Sequence, residues 1–125
     1  MSTSKKDLAW KHFSEWKRRS NADENEIVKC FTCENTGHWK TFDTGHFASR
    51  IHTMTFINET NCHPQCKYCN MHLHGNLGQY AINLDKMYGV GTAEYLLKKS
   101  KLTCKMSESD WQELADLYRN KLKQL

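Results

Sequence analysis

The stretches that decide the fold are Cys30-Phe31-Thr32-Cys33 and Cys66-Lys67-Tyr68-Cys69, two Cys-x-x-Cys pairs with 32 residues between them. Zinc is commonly bound by four thiolate or imidazole ligands in a tetrahedron, and two such pairs would supply all four while joining two distant segments. A redox-active dithiol is the alternative, but no βαβ pattern surrounds either pair. The spacing therefore predicts a structural zinc ion bound by Cys30, Cys33, Cys66 and Cys69.

The composition is that of a small protein whose core needs additional support. The chain has 125 residues, 38% of them hydrophobic, and a formal net charge of +4. A domain of this length buries proportionally little apolar surface, so a structural metal would add to its stability. No segment approaches the roughly 18 apolar residues of a membrane span, and Met1–Lys11 lacks the apolar stretch of a signal peptide. We therefore expect a cytoplasmic protein without a membrane partner, in which thiols stay reduced and bind metal.

The pattern along the chain predicts one α+β domain over residues 1–125. A zinc-bound core at 30–76 would follow an N-terminal helix and linker at 1–29 and precede C-terminal helices at 77–125. Apolar periodicity predicts a helix over 5–19, and Thr, Phe and Ile between 39 and 58 favour two short strands, the second including Met54–Ile57. Caps and breakers predict further helices at 65–74, at 77–88, at 93–99 after Thr92, and after Ser107.

A second metal site is indicated by polar residues around the second cysteine pair. Asp43 lies in the insert between the pairs, Asn70 follows Cys69 directly, and His74 lies four residues further on. If residues 66–74 are helical, Asn70 and His74 share one face and can bind one ion. Carboxylate and amide oxygens suit Mg²⁺ or Mn²⁺, which would make this ion catalytic. Asp43 suits a turn equally well, and His74 could instead be solvated or face a phosphate.

These residues resemble the HNH, or ββα-metal, nuclease motif. In that motif a His ends the first strand, an Asn lies in the following loop, and a His or Asn on the helix binds the metal; His46, Asn61 and Asn70 match here. The stretches 43–50, 56–70 and 75–80 are most similar to the lambdoid phage NinG family, also called Rap. The resemblance implies a zinc-stapled ββα-metal (HNH, His-Me finger) core with flanking α-helices. It also implies a phage recombination endonuclease that cleaves branched DNA such as Holliday junctions and D-loops.

The resemblance assigns a role to each matching residue. His46 would be the general base, since a neutral imidazole can take a proton from water at pH 7. Asp43 and Asn70 would hold the divalent ion against the scissile phosphate, where it stabilises developing charge. Members of the wider motif commonly have a carboxylate directly before the His, a position that Gly45 occupies here. Asn61 would orient the His46 loop through hydrogen bonds.

DNA is the expected partner, and basic residues mostly outside the core would contact its phosphates. No pattern indicates base-specific readout, which fits recognition of DNA shape. The predicted contacts are Lys17, Arg18, Arg19, Arg50, His52, Lys98, Lys99 and Lys101.

Two other functions stay open at this level. An HNH enzyme could nick or restrict ordinary duplex DNA, and a non-catalytic zinc module could bind DNA or protein. The apolar face of the last helix, residues 111–122, suits either a homodimer or packing on the core.

Overall fold

The fold consists of two short β-hairpins surrounded by helices, in a computed structural model that describes residues 3–125. The helices are α1 (Lys5–Ser20), α2 (Thr53–Phe56), α3 (Leu77–Tyr88), α4 (Thr92–Ser100) and α5 (Glu108–Lys123). The strands are β1 (Ile27–Lys29), β2 (Thr36–His38), β3 (Asp43–His46) and β4 (Cys62–Gln65). A 3₁₀ turn at Trp39–Thr41 and a π-helical turn at Tyr68–His72 complete the elements. This is the mixed α+β class that the sequence predicts. None of these helices is long and apolar enough to cross a membrane.

The two hairpins bring the cysteine pairs together. Strand β1 pairs antiparallel with β2, and the turn between them contains Cys30 and Cys33. Strand β3 pairs antiparallel with β4, with Asp43 opposite Gln65, and Cys66 follows β4 directly. The backbone N–H of Phe31 donates to the Pro64 carbonyl at 2.8 Å, which ties the first turn to the second hairpin.

Helices α1 and α5 pack against each other and cover the second hairpin. Ala9 and Phe13 of α1 are fully buried, and they contact the buried Trp111 and Tyr118 of α5 in two adjoining clusters. Helix α5 begins with the predicted Ser107 cap, whose side chain and that of Asp110 form a capping box. The apolar face of α5 is thus used within the chain, so it provides no argument for a homodimer.

Most of the predicted helices are confirmed, with small differences at their ends. Helix α1 extends one residue beyond the predicted 5–19, and α3 spans the predicted 77–88 and ends at Gly89. Helix α4 includes Thr92, because Gly91, with φ +99°, occupies the cap position.

Two of the predicted elements are wrong. Met54–Ile57 is not a strand: Thr53–Phe56 forms the helical turn α2, whose carbonyls bond to buried side chains of the hairpin instead of to a neighbouring strand. The strand that pairs with β3 is Cys62–Gln65, which includes a proline. Residues 65–74 do not form an α-helix either, because Gln65 ends β4 and His74 has φ +51°.

Candidate functional site

The four predicted zinc ligands form one cluster. The sulfur atoms of Cys30, Cys33, Cys66 and Cys69 all lie within 4.8 Å of one another, and Cys33 Sγ is 3.6 Å from Cys66 Sγ. A tetrahedral zinc with Zn–S bonds of about 2.3 Å places its sulfurs about 3.8 Å apart, so this donor set fits a zinc ion. No other group of three or more His, Cys, Asp or Glu side chains within residues 3–125 is close enough for one ion.

Polar groups around the cluster donate to the sulfurs. Asn35 donates its backbone N–H to Cys33 Sγ at 3.4 Å and its side-chain amide to Cys66 Sγ at 3.5 Å, and Asn76 donates to Cys69 Sγ at 3.7 Å. Burial opposes ionisation of Cys66, but bonds from the Cys69 N–H and from Asn35 outweigh it and lower its pKa to about 7. The cluster can therefore hold a thiolate, the form that binds zinc. Sequence reasoning missed both asparagines, although the position of Asn35, two residues after a Cys-x-x-Cys pair, was a usable signal.

His46 lies at the end of β3 with a defined proton position. Its Nε2 is 2.8 Å from the carbonyl oxygen of Phe56. Because a carbonyl only accepts, Nε2 carries the hydrogen and Nδ1 keeps its lone pair. The ring stacks between Trp10, at a centroid distance of 4.6 Å, and Phe56, at 5.4 Å. Burial lowers the pKa of His46 to about 4, so the imidazole is neutral at pH 7.

Asn61 is fully buried beneath the loop that follows His46. Its Oδ1 accepts from the Ala48 N–H at 2.7 Å, and its Nδ2 donates to the carbonyls of Ala48 and Thr55, each at 3.0 Å. Asn61 thus fixes the loop after β3 to the turn α2. This geometry agrees with the orienting role that the resemblance implies, and it leaves Asn61 out of contact with solvent.

Asp43 and Asn70 lie together in a cavity of about 450 Å³ that also contains His46, Arg18 and Arg50. Asn70 donates its Nδ2 to Asp43 Oδ2 at 3.0 Å, and Lys67 forms an ion pair with Asp43 Oδ1. Side chains alternate along a strand, so residues 43 and 45 lie on the same face of β3. In the wider motif the carboxylate stands at the position that Gly45 occupies here. Asp43 therefore lies on the same face of the strand as that carboxylate, two residues earlier in the chain.

His74 is less well placed than Asp43 and Asn70. It is exposed and lines a neighbouring cavity of about 320 Å³, which also includes His46, Asn70 and Arg50. Within residues 3–125 no hydrogen bond joins His74 to Asp43 or Asn70. The α-helical spacing that would align Asn70 with His74 is absent, because the turn between them is π-helical and His74 leaves it with a positive φ.

Gly45 is required by the packing of the strand pair. A Cβ atom at this position would lie 1.8 Å from Gln65 Oε1, and Gln65 is fully buried with its amide nitrogen already bonded. We expect Gly45→Ala to lower the free energy of unfolding by about 1 to 3 kcal/mol, because Gln65 must leave its place. Urea unfolding of the two proteins measures this, and Gly78→Ala is the matched control because a Cβ there meets nothing within 4 Å. Equal losses for both variants would contradict the packing argument.

The predicted DNA contacts divide into accessible and inaccessible groups. Lys17 is only 7% exposed, and its Nζ donates to the Glu59 carbonyl at 2.6 Å, so its prediction as a phosphate contact is wrong. Arg18 borders the cavity while donating to the Phe42 carbonyl at 3.1 Å. The residues that remain at least partly exposed are Arg19, Arg50, His52, Lys98, Lys99 and Lys101.

His63 is a buried residue to which sequence reasoning gave no role. It is 2% exposed and stacks on Phe31 at 4.0 Å. Tyr80 donates its hydroxyl to the Gly45 carbonyl at 2.7 Å, so it accepts from His63 Nδ1, and His63 Nε2 accepts from the Tyr88 hydroxyl at 2.8 Å. This chain of hydrogen bonds ends on the residue before His46, and it helps to fix β3 there.

The two buried histidines make stability depend on pH. Burial lowers the pKa of His46 to about 4 and that of His63 to about 3, whereas an unfolded chain has a His pKa near 6.5. Below pH 6.5 the unfolded chain binds protons that the folded chain does not. The contribution of the two neutral histidines to folding stability is therefore complete above pH 6.5 and is lost as the pH falls towards the pKa values of the folded state. We expect the free energy of unfolding to drop by about 4 kcal/mol between pH 7 and pH 5.

Urea unfolding at several pH values measures this drop. His63→Gln lacks one of the two groups, so its drop should be about half as large. Release of zinc at low pH would affect both proteins alike, so the difference in slope is the informative quantity. Equal slopes would show that His63 is not held neutral.

Comparison with known proteins gives one result for nearly the whole chain. The family model described as the bacteriophage lambda NinG protein matches residues 2–125. No match is found among curated proteins or among solved structures. The matched span includes both cysteine pairs, His46, Asn61 and Asn70, and it extends into both flanks beyond residues 28–100, the part of the chain to which the resemblance reaches. The chain therefore belongs to the NinG family.

Proposed function

We propose that this protein is a metal-dependent DNA endonuclease that cleaves branched intermediates of phage recombination, such as Holliday junctions and D-loops. Membership of the NinG family gives it a role related to phage recombination. The observation that carries the nuclease proposal is His46, whose neutral imidazole has its proton on Nε2 and opens onto a cavity shared with Asp43 and Asn70.

His46 acts as the general base in this proposal. Phosphodiester hydrolysis needs a water molecule that loses a proton as its oxygen attacks phosphorus. Nδ1 of His46 has a free lone pair that can accept this proton. The bond from Nε2 to the Phe56 carbonyl fixes the tautomer and stabilises the ring once it becomes positively charged. Asn61 keeps that carbonyl in place by holding the α2 turn through the adjacent Thr55.

Asp43 and Asn70 would hold the divalent cation in this proposal. They offer carboxylate and amide oxygens at the edge of an open cavity, the donor types that Mg²⁺ and Mn²⁺ take from proteins. Such an ion, when bound, would stabilise negative charge that develops on the phosphate and the leaving oxygen. Arg50 and Arg18 border the same cavity and would orient phosphate oxygens.

The arrangement of the chain around the site supports an HNH-type core. Strand β3 carries Asp43 and His46, β4 pairs with it, and the turn after β4 carries Asn70 between Cys69 and the start of α3. The ββα-metal motif implies two strands followed by a helix that carries the metal ligand, and here the π-helical turn Tyr68–His72 takes the place of the start of that helix. The cysteine cluster would hold that turn against the β1–β2 hairpin.

The test is a cleavage assay with three DNA substrates of equal length and labelled strands. We expect the zinc-loaded protein to cut Holliday junctions and D-loops in Mg²⁺ or Mn²⁺ and to cut linear duplex much more slowly. Equal rates on duplex and junctions would instead indicate an enzyme that nicks or restricts ordinary DNA. Binding without cleavage of any substrate would indicate a non-catalytic zinc module.

A further inference from the structure

Gln65 has an amide oxygen that the fold leaves without a partner. Its side chain is fully buried at the end of β4, and within residues 3–125 its Oε1 is one of two buried side-chain oxygen or nitrogen atoms that make no hydrogen bond. Its Nε2 donates to Thr32 Oγ1 and to the Gly75 carbonyl, both at 2.9 Å. Because the Gly75 carbonyl only accepts, the nitrogen must face it, and the oxygen must face the opposite side. Burial of an unpaired carbonyl oxygen is unfavourable, so its orientation needs an explanation.

The unpaired oxygen and an amide oxygen of Asn70 both lie beside Gly45. A Cβ built on Gly45 would be 1.8 Å from Gln65 Oε1 and 3.0 Å from Asn70 Oδ1, so the two oxygens are at most 4.8 Å apart. Two acceptor oxygens this close, with no hydrogen between them, form an unfavourable arrangement.

The orientation of Asn70 accounts for this arrangement. In the structure, its Nδ2 donates to Asp43 Oδ2 at 3.0 Å, which directs its Oδ1 away from Asp43. An amide nitrogen has no free lone pair, so Asn70 can join Asp43 around a cation only through Oδ1. Turning the amide by about 180° brings Oδ1 to the Asp43 side and Nδ2 to the side of Gln65 Oε1.

We propose that Gln65 is a positioning residue for cation binding: its buried Oε1 accepts from Asn70 Nδ2 once the Asn70 amide has turned its oxygen to a divalent ion beside Asp43. This inference rests on the metal site of the proposed function. Gln65 itself is held in place by Thr32, whose hydroxyl lies 3.5 Å from Cys30 Sγ. The cysteine cluster thereby fixes the residue that orients Asn70.

A double-mutant cycle on Mn²⁺ affinity tests the proposal. The Kd for Mn²⁺ is measured by calorimetry on zinc-loaded wild type, Gln65→Met, Asn70→Asp and the double variant. We expect Gln65→Met to weaken Mn²⁺ binding about tenfold, as the loss of one hydrogen bond to an ordered ligand would. In the Asn70→Asp background the same change should have no effect or should strengthen binding, because a carboxylate has oxygens on both sides and nothing to donate to Gln65.

Controls separate positioning from a general effect on the fold. Zinc content and urea unfolding are measured for each variant, and Ser100→Ala, which removes another buried polar group far from the site in sequence, should leave the Kd for Mn²⁺ unchanged. An equal tenfold loss in both backgrounds would mean that Gln65 only supports the packing, and this would overturn the proposal. The proposal would also be overturned if Gln65→Met bound Mn²⁺ as tightly as wild type. It would be overturned as well if the protein bound no Mn²⁺, or if Asp43→Asn left Mn²⁺ binding unchanged.

A measurement on the unmodified protein covers the case in which Gln65→Met does not fold. In NMR spectra, the Asn70 side-chain NH₂ protons should show a nuclear Overhauser effect to the Gly45 Hα protons with Mg²⁺ and lack it without Mg²⁺. The same contact in both states, or in neither, would contradict the turn of the amide. These experiments need no DNA, so they are independent of the cleavage assay. Mn²⁺ binding that depends on Gln65, in a protein that cleaves no DNA, would refute the nuclease proposal alone. DNA cleavage by a protein whose Mn²⁺ affinity does not depend on Gln65 would refute this inference alone.

Discussion

Replacement of His46 by alanine is expected to abolish DNA cleavage while junction binding and bound zinc are retained. General base catalysis contributes about 10²- to 10⁴-fold to a rate, and alanine has no group that can accept the proton. Single-turnover cleavage of a labelled junction measures the loss, and gel shift and zinc content measure what remains. The wild-type rate should fall as pH drops through about 4, the pKa of His46, and not near 6.5.

Two further variants separate chemistry from packing, because the His46 ring also fills the space between Trp10 and Phe56. His46→Gln keeps an N–H that can donate to the Phe56 carbonyl but has no basic nitrogen, so it should be as inactive as His46→Ala and more stable. His12→Ala, which removes a partly buried histidine of α1, should retain full activity. Cleavage by His46→Gln at a near wild-type rate would show that another group is the base.

Loss of one cysteine of the cluster is expected to have the largest effect on the fold. We expect Cys66→Ser to leave the chain largely unfolded, since structural zinc sites contribute about 10 to 16 kcal/mol and a whole domain is stable by only about 5 to 15 kcal/mol. Circular dichroism and zinc content check this, and treatment of wild type with a strong chelator should give the same unfolded spectrum.

Cys62 provides the matched control for this experiment. It is fully buried and Cys66 is also buried, but Cys62 packs among Phe13 and Tyr118 and does not belong to the cluster. Cys62→Ala should lose about 1 to 3 kcal/mol of stability and keep its zinc. If Cys66→Ser folds and is as stable as Cys62→Ala, the cluster does not hold a structural metal.

The sequence predicted well those features that depend on residue type and on spacing along the chain. The cysteine pairs were found because spacing determines whether four sulfurs can reach one ion, and the helices were found because apolar periodicity is local. His46 and Asn61 were found through a motif in which each has a defined order along the chain. The structure gives both side chains defined hydrogen bonds, and their catalytic roles stay predictions.

Features that depend on a partner distant in sequence could not be predicted. Lys17 looks like part of a basic patch until Glu59 supplies a buried carbonyl for it. Met54–Ile57 alternates like a strand, but Asn61 and His46 bond to its carbonyls and stabilise a helical turn. The wider motif has a carboxylate directly before the histidine, and this chain has Gly45 there. The reason is the position of Gln65, whose side chain leaves no room for a Cβ atom at residue 45.

The position of the cysteine pairs along the chain has a consequence for biosynthesis. Asp43, His46 and Asn61 lie between the two pairs, and Asn70 follows the last cysteine directly. During translation the ribosome completes Asp43, His46 and Asn61 before the second pair, so metal cannot close the loop that contains them until all three exist. In an unfinished chain the proposed site therefore stays unassembled, and zinc binding to the completed cluster would bring the segments that carry it together in a single step.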